Sequence, residues 1–120
     1  MREIKFRAWH KELKQIKECF AINFAGNRTV GVHDDDPIWF FEDIILMQFT
    51  GLHDKNGKEI CESDLVSVNG NDPSLVKWRD QCADFILDHI YSVGKDGIFK
   101  SESSRYEVLG NIYENPELLK

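Results

Sequence analysis

The stretch TGLHDKNGKEICESDLV, Thr50 to Val66, decides how the chain is read. Its glycines, its lysine directly after a glycine, its spaced acids, its histidine and its cysteine occur in phosphate loops, metal loops, redox sites and plain turns alike. Spacing separates these readings. A phosphate-binding P-loop has four residues between its glycines and a Ser or Thr after the lysine, to reach magnesium. Here five residues separate Gly51 from Gly57, and Glu59 stands where the hydroxyl belongs. A carboxylate there repels phosphate. A calcium loop of the EF-hand type needs oxygen ligands at positions one, three and five and glycine at six. Counting from Asp54, glycine arrives at position four and Lys58 holds position five. What fits is a turn. Asn56-Gly57 is the dipeptide that tolerates the positive φ angles of a two-residue type I′ hairpin turn, and QFTGL and KEIC read as its arms.

Strand patterns extend in both directions from that hairpin. In REIKFRAW, Ile4, Phe6 and Ala8 alternate with Lys5, Arg7 and Trp9, the period of two of a half-buried strand. HKELKQ reads as the loop to a second strand, IKECFAINF. A helix competes there through Leu13, Ile16 and Phe20, but the alternation of Phe20, Ile22 and Phe24 favours the hairpin. AGNR is a turn, TVGV a short strand, and HDDDP a loop. IWFFEDIILMQFTG reads as strand broken near Glu42-Asp43. After the opening stretch, LVSV and LVKWRD are strands separated by the turn GNDPS, with Val76 and Trp78 on one face of the second. ADFILDHIYSV is a strand, GKDG a turn, and YEVLGNIY a last strand with a bulge or bend at Gly110. NPELLK has the order of a helix start, with Asn115 as N-cap and Pro116 at the first position, and length for about one turn.

Short strands punctuated by closely spaced turns predict a mainly β fold of antiparallel hairpins, with a small SH3-like barrel and a short C-terminal helical turn. The 120 residues suit one domain, 1–120. Within it, HDDDP marks a weak boundary between an N-terminal hairpin region, 1–37, and a barrel-like region, 38–120.

Composition narrows function. The net charge is −6, with 15 Lys and Arg interspersed among 21 Asp and Glu. That balance gives no support to nonspecific nucleic-acid binding, which needs a basic face to displace counterions from phosphates. No apolar run approaches the ~20 residues of a membrane span, and the charged N-terminus lacks a secretory h-region. Cys19, Cys61 and Cys82 are widely spaced with no C-x-x-C, which suits reduced thiols in a cytoplasm.

The side chains able to do chemistry are scattered. Zinc needs four ligands at usable spacings, and His10, Cys19, His33, His53, Cys61, Cys82 and His89 show no pairing. Cys61 as a nucleophile needs a base, for which His53 across the predicted hairpin is the candidate; an idle thiol is the plainer reading. Asp34, Asp35 and Asp36 are adjacent acids that rarely converge on one magnesium ion, and they read as a solvated turn. No cofactor or metal is expected. Of the three tryptophans, Trp78 reads as core, whereas Trp9 and Trp39 are candidate surface anchors for an interaction.

Three segments, MREIKFRAW, LMQFTGLHDKNGKEICESDLV and YEVLGNIYENPELL, resemble the YopX family of small phage and prophage proteins, in the family's order and over nearly the whole chain. The resemblance implies a phage-encoded cytoplasmic protein of a bacterial host, mainly β, with no established activity. Three positions depart from the family pattern: His10 stands where Asp is usual, Cys61 replaces an aromatic, and Ser63 replaces Gly. The expectation is a non-enzymatic accessory protein acting through protein contacts, with itself as a homo-oligomer and with a phage or host protein. The alternative is a nucleic-acid-binding module on a small β-barrel scaffold.

Overall fold

The computed structural model describes residues 3–32, 38–89, 95–97 and 104–119. The acidic loop HDDDP, with the magnesium reading of Asp34 to Asp36, lies outside them, as do the side chains of His89 and Lys95. Among the described residues, eleven strands form two antiparallel sheets. They are β1 (Phe6–His10), β2 (Gln15–Asn23), β3 (Thr29–Val32), β4 (Ile38–Phe40), β5 (Ile44–His53), β6 (Glu59–Cys61), β7 (Asp64–Val68), β8 (Ser74–Arg79), β9 (Asp84–His89), β10 (Lys95–Gly97) and β11 (Tyr106–Asn111). The strand orders are β4-β3-β2-β1-β5-β6 and β10-β9-β8-β7-β11, and neither sheet closes on itself among the described strands. Short 3-10 turns cover Phe41–Asp43, the predicted break at Glu42-Asp43, and Pro116–Leu119, the predicted C-terminal helical turn. GKDG was expected to be a turn, yet Lys95–Gly97 is an edge strand paired with β9. An edge strand is paired on one side only, so it tolerates an Asp and a Gly that a central strand would not.

The chain divides into two compact units, Met1–Phe49 and Thr50–Lys120. The division falls inside β5, twelve residues beyond the expected 37/38 boundary, because β4 pairs with β3 and the first half of β5 pairs with β1.

In the first unit, Ala8, Val30, Val32, Trp39 and Ile44 form a buried cluster, with Cys19, Ile22, Phe41 and Leu46 packed against it. The simple alternation in β2 is broken by a bulge. Cys19 pairs with Val32 and Ala21 with Gly31, so Phe20 is one residue too many. The extra residue reverses the phase. Cys19 and Ile22 both face the core, and Phe20 is left outside with its ring over Gly31. β1 is buried on both faces at its end, at Ala8 and at Trp9.

The second unit is built around Ile60, Val66, Val76, Leu87 and Tyr106. Its defining feature is the loop of the opening stretch. Gly57 has φ +83°, but Asn56 does not adopt a positive φ, so the turn is not type I′. The Gly57 N–H donates to the Asp54 carbonyl at 3.0 Å, and the Asp54 N–H donates to the Lys58 carbonyl at 2.8 Å. This is a turn with a left-handed residue after it, the longer form of hairpin loop. The two positive φ angles of a type I′ turn occur at the chain's other Asn-Gly, Asn69 (+56°) and Gly70 (+78°), where the Asn71 N–H closes onto the Val68 carbonyl. Both connections are five residues long, 54–58 and 69–73. What separates them is the Asp54 carboxylate, which accepts the N–H groups of Asn56 and Lys58 in the first.

A Cβ on Gly57 would meet no atom of the described residues within 4 Å, so backbone strain is what opposes a side chain there. Gly57→Val is expected to cost about 1–3 kcal/mol and to lower the melting temperature by several degrees. A thermal melt checks this, and an unchanged midpoint would show that the left-handed conformation carries no strain.

Candidate interaction surface

The two tryptophans expected to anchor a surface do not lie on one. Trp39 is 3% exposed and Trp9 is 9% exposed, whereas Trp78, expected in the core, is 44% exposed. Pairing explains the exchange. Trp9 sits on a strand flanked by β2 and β5, and Trp39 points from β4 to the same side as Val30, its partner across β3. The Trp39 ring is met edge-on by His10 at 5.0 Å and capped by the Lys17 ammonium at 5.5 Å. Trp78 follows Val76 on its face but lies near the end of β8, beyond the reach of the core, with Phe85 edge-on at 5.0 Å.

The exposed apolar side chains are elsewhere. The period of two that buries Trp39 turns its neighbours outward, leaving Ile38 59% and Phe40 44% exposed. On that outer face Ile38 lies beside Gly31 and Ala21, and Phe40 beside Thr29 and Asn23. None of these positions carries a charge, in a chain with 30% charged residues. Phe24, also exposed, packs edge-on against Phe41 at 5.8 Å. Next to this face is an open depression of about 340 Å³ lined by Gly26, Asn27, Arg28, Phe40, Phe41 and Glu42. The Phe41 N–H donates to the Arg28 carbonyl and fixes the 3-10 turn to the β2–β3 loop, so the depression has a defined wall.

The electrostatics around it are local. Lys5 pairs with Glu3 at 2.8 Å, Lys77 with Asp88 at 3.0 Å and Lys55 with Glu107 at 3.9 Å; Arg79 reaches Asp84 through two nitrogens. Such exposed pairs contribute little stability, but they cancel the charge that a phosphate backbone would need. Arg28 and Glu42, which share the depression, make no ion pair among the described residues.

The residues considered for chemistry fall into structural places. His10 accepts the Leu13 N–H on Nδ1 at 3.1 Å, so it supplies the turn with an acceptor where the family pattern has Asp. Burial, with the Glu18 charge, pushes the Cys19 thiol up to about 11, far from a reactive thiolate. Cys61 is buried at the end of β6, and its N–H donates to the buried Asp64 carboxylate at 2.8 Å. His53 is exposed at the end of β5, and Cys82 is exposed in the turn after β8. Among the described residues, no three His, Cys, Asp or Glu side chains gather as a metal site would require. No helix among them is long and apolar enough to cross a membrane.

Asn56 and Gly57 belong to a clasp that the strand pattern did not reveal. Asp54 Oδ1 accepts the N–H groups of Asn56 and Lys58 at 2.8 and 2.9 Å, and its Oδ2 accepts Val108 N–H at 2.9 Å. The Lys55 N–H donates to the Tyr106 carbonyl, and the Ile112 N–H to the Ser63 carbonyl. Ser63 has φ +71°, a conformation that suits the glycine usual there. At the far end, β11 is bulged between Val108 and Gly110, as expected at Gly110. A Cβ on Gly110 would run into the Asn115 side chain, whose Oδ1 accepts the Asn111 N–H instead of capping the last turn. The signal for the clasp was an aspartate opening a turn, which bonds backbone groups two and four residues on.

A family model for YopX protein matches residues 5–120. No curated protein matches the chain. Among solved structures, protein EF1440 from Enterococcus faecalis is similar with a TM-score of 0.67 at 23% identity, over 100% of both chains. Protein yopX from Bacillus subtilis is similar with a TM-score of 0.64 at 22% identity, over 100% of this chain and 98% of that one. The family's middle and C-terminal segments are the two halves of the clasp, and its first segment contains β1, between β2 and β5. With the match covering nearly every residue and the fold shared end to end, the chain belongs to the YopX family.

Proposed function

We propose that this chain is a phage-type accessory protein of a bacterial cytoplasm that works by binding protein, a second copy of itself included, and has no catalytic activity of its own. The observation that supports this reading is the uncharged part of the outer face of β2–β4, where Ile38 and Phe40 are turned to solvent on the same face as Phe20. Contiguous apolar surface of this kind marks interaction sites more often than isolated exposed side chains do. The pairing of Lys5, Lys77 and Arg79 with acids of the same chain weighs against a nucleic-acid partner.

Light scattering should give a mass above 14.0 kDa that changes little with moderate salt, since apolar contacts are not screened. Binding to random DNA or RNA at physiological ionic strength should be weak, because few phosphates are neutralised at once. Monomers throughout a concentration series extending well above tens of micromolar would remove the self-association. Tight, salt-sensitive binding to DNA or RNA would replace this reading with that of a nucleic-acid-binding module.

A further inference from the structure

Arg28 and Glu42 are exposed charges of opposite sign that line one depression together with Phe40 and Phe41. Lys5, Lys55, Lys77 and Arg79 each have an acid of this chain within salt-bridge distance, whereas Arg28 and Glu42, like Lys11, Lys14 and Lys58, have none among the described residues. A ligand complementary to this surface offers an anion, an apolar group and a cation. Nucleic acid and acidic peptides would meet Glu42 as a repelling charge, and basic peptides would meet Arg28. A second copy related by a twofold axis supplies the required pattern by symmetry. In such an interface residue i meets j while j meets i, so Arg28 of each copy faces Glu42 of the other.

We propose, building on the protein-binding reading above, that two copies of this chain associate through the outer face of β2–β4. Ile38 and Phe40 form the apolar centre, and reciprocal Arg28–Glu42 pairs form the rim. The size of the surface sets the strength. Aromatic side chains carry roughly 150–250 Å² each, so Phe20 and Phe40 at 61% and 44% exposure offer on the order of 150–250 Å², with Ile38 adding to it. A stable interface takes about 800 Å² per partner, more than half of it apolar. The association is therefore weak and concentration-dependent, and the rim charges decide whether the copies orient correctly.

Sedimentation over a concentration series tests this, with thermal melts confirming that each variant is folded. Arg28→Glu places two acids opposite each other and Glu42→Arg two arginines, so each variant alone should associate at least tenfold more weakly than the parent. Mixing the two single variants restores both opposite-charge contacts, and the mixture should associate as the parent does. Phe40→Glu should abolish association and should not be rescued by mixing. If the parent remains monomeric, self-association itself is wrong and this interface falls with it. If the parent associates but the variants do so equally well, the protein-binding reading stands and this face is not the interface. Weakened single variants that mixing fails to rescue would also overturn the reciprocal pairing, and would point to a heterologous contact or an extended partner segment.

Discussion

Asp54→Ala is expected to destabilise the protein by about 3–5 kcal/mol. The carboxylate accepts three backbone N–H groups, those of Asn56, Lys58 and Val108, and the residue is only 6% exposed. Hydrogen bonds to charged acceptors contribute about 1.5–3 kcal/mol each, and a buried donor left alone costs about 1–3 kcal/mol. Water can reach part of this loop, so the sum falls below three full bonds. A loss of that size is a large fraction of the roughly 5–15 kcal/mol that holds an ordinary domain together. The same group predicts a pH dependence. Burial pushes its carboxyl up, but the N–H groups of Val108, Lys58 and Asn56, with the Lys58 charge, outweigh this and hold it below the ordinary carboxylate value. A depressed folded pKa means that the stabilisation is fully present above the unfolded value, near pH 4, and is lost as pH falls through the folded one. Urea denaturation from pH 7 down to pH 2 should show the parent losing stability through this window more steeply than Asp54→Asn, which has no charge to lose. Parallel curves would show that Asp54 does not carry the acid sensitivity.

Trp39→Ala is expected to cost a similar 3–5 kcal/mol, the usual range for removing a large aromatic from a core. The ring packs with Ala8, Val30, Val32 and Ile44 and is bounded by His10 and Lys17. Its Nε1 is buried with no hydrogen-bond partner among the described residues. Trp39→Phe keeps most of the packing and removes that unsatisfied donor, so it should cost well under half as much. Phe40→Ala, one residue along and on the opposite face, should change stability by less than about 1 kcal/mol. Chemical denaturation of the three variants separates a structural tryptophan from a surface one. A stable Trp39→Ala variant beside an unstable Phe40→Ala variant would invert the two faces of β4.

Local chemistry alone determined a good deal. Gly and Pro punctuation, the break at Glu42-Asp43, the bulge at Gly110 and the left-handed Gly57 all appear where short-range sterics and hydrogen bonding require them. The three segments that carry the family resemblance were also legible, as was the misfit of the phosphate and calcium loops, because both depend on spacing along the chain. Tertiary structure decided the rest. Period-two patterning tells which residues share a face but not whether that face is covered, so Trp39 and Trp78 exchanged their expected environments. The bulge at Phe20 reversed the phase of β2, and only pairing with β3 exposes it. Lys95–Gly97 became a strand because β9 offered an edge. The Asp54–Val108 bond joins residues 54 positions apart, and the Arg28–Glu42 depression joins a turn to a 3-10 segment across a strand pair. These features depend on which distant segments meet, and a solvent-facing surface is defined by what the rest of the chain leaves uncovered.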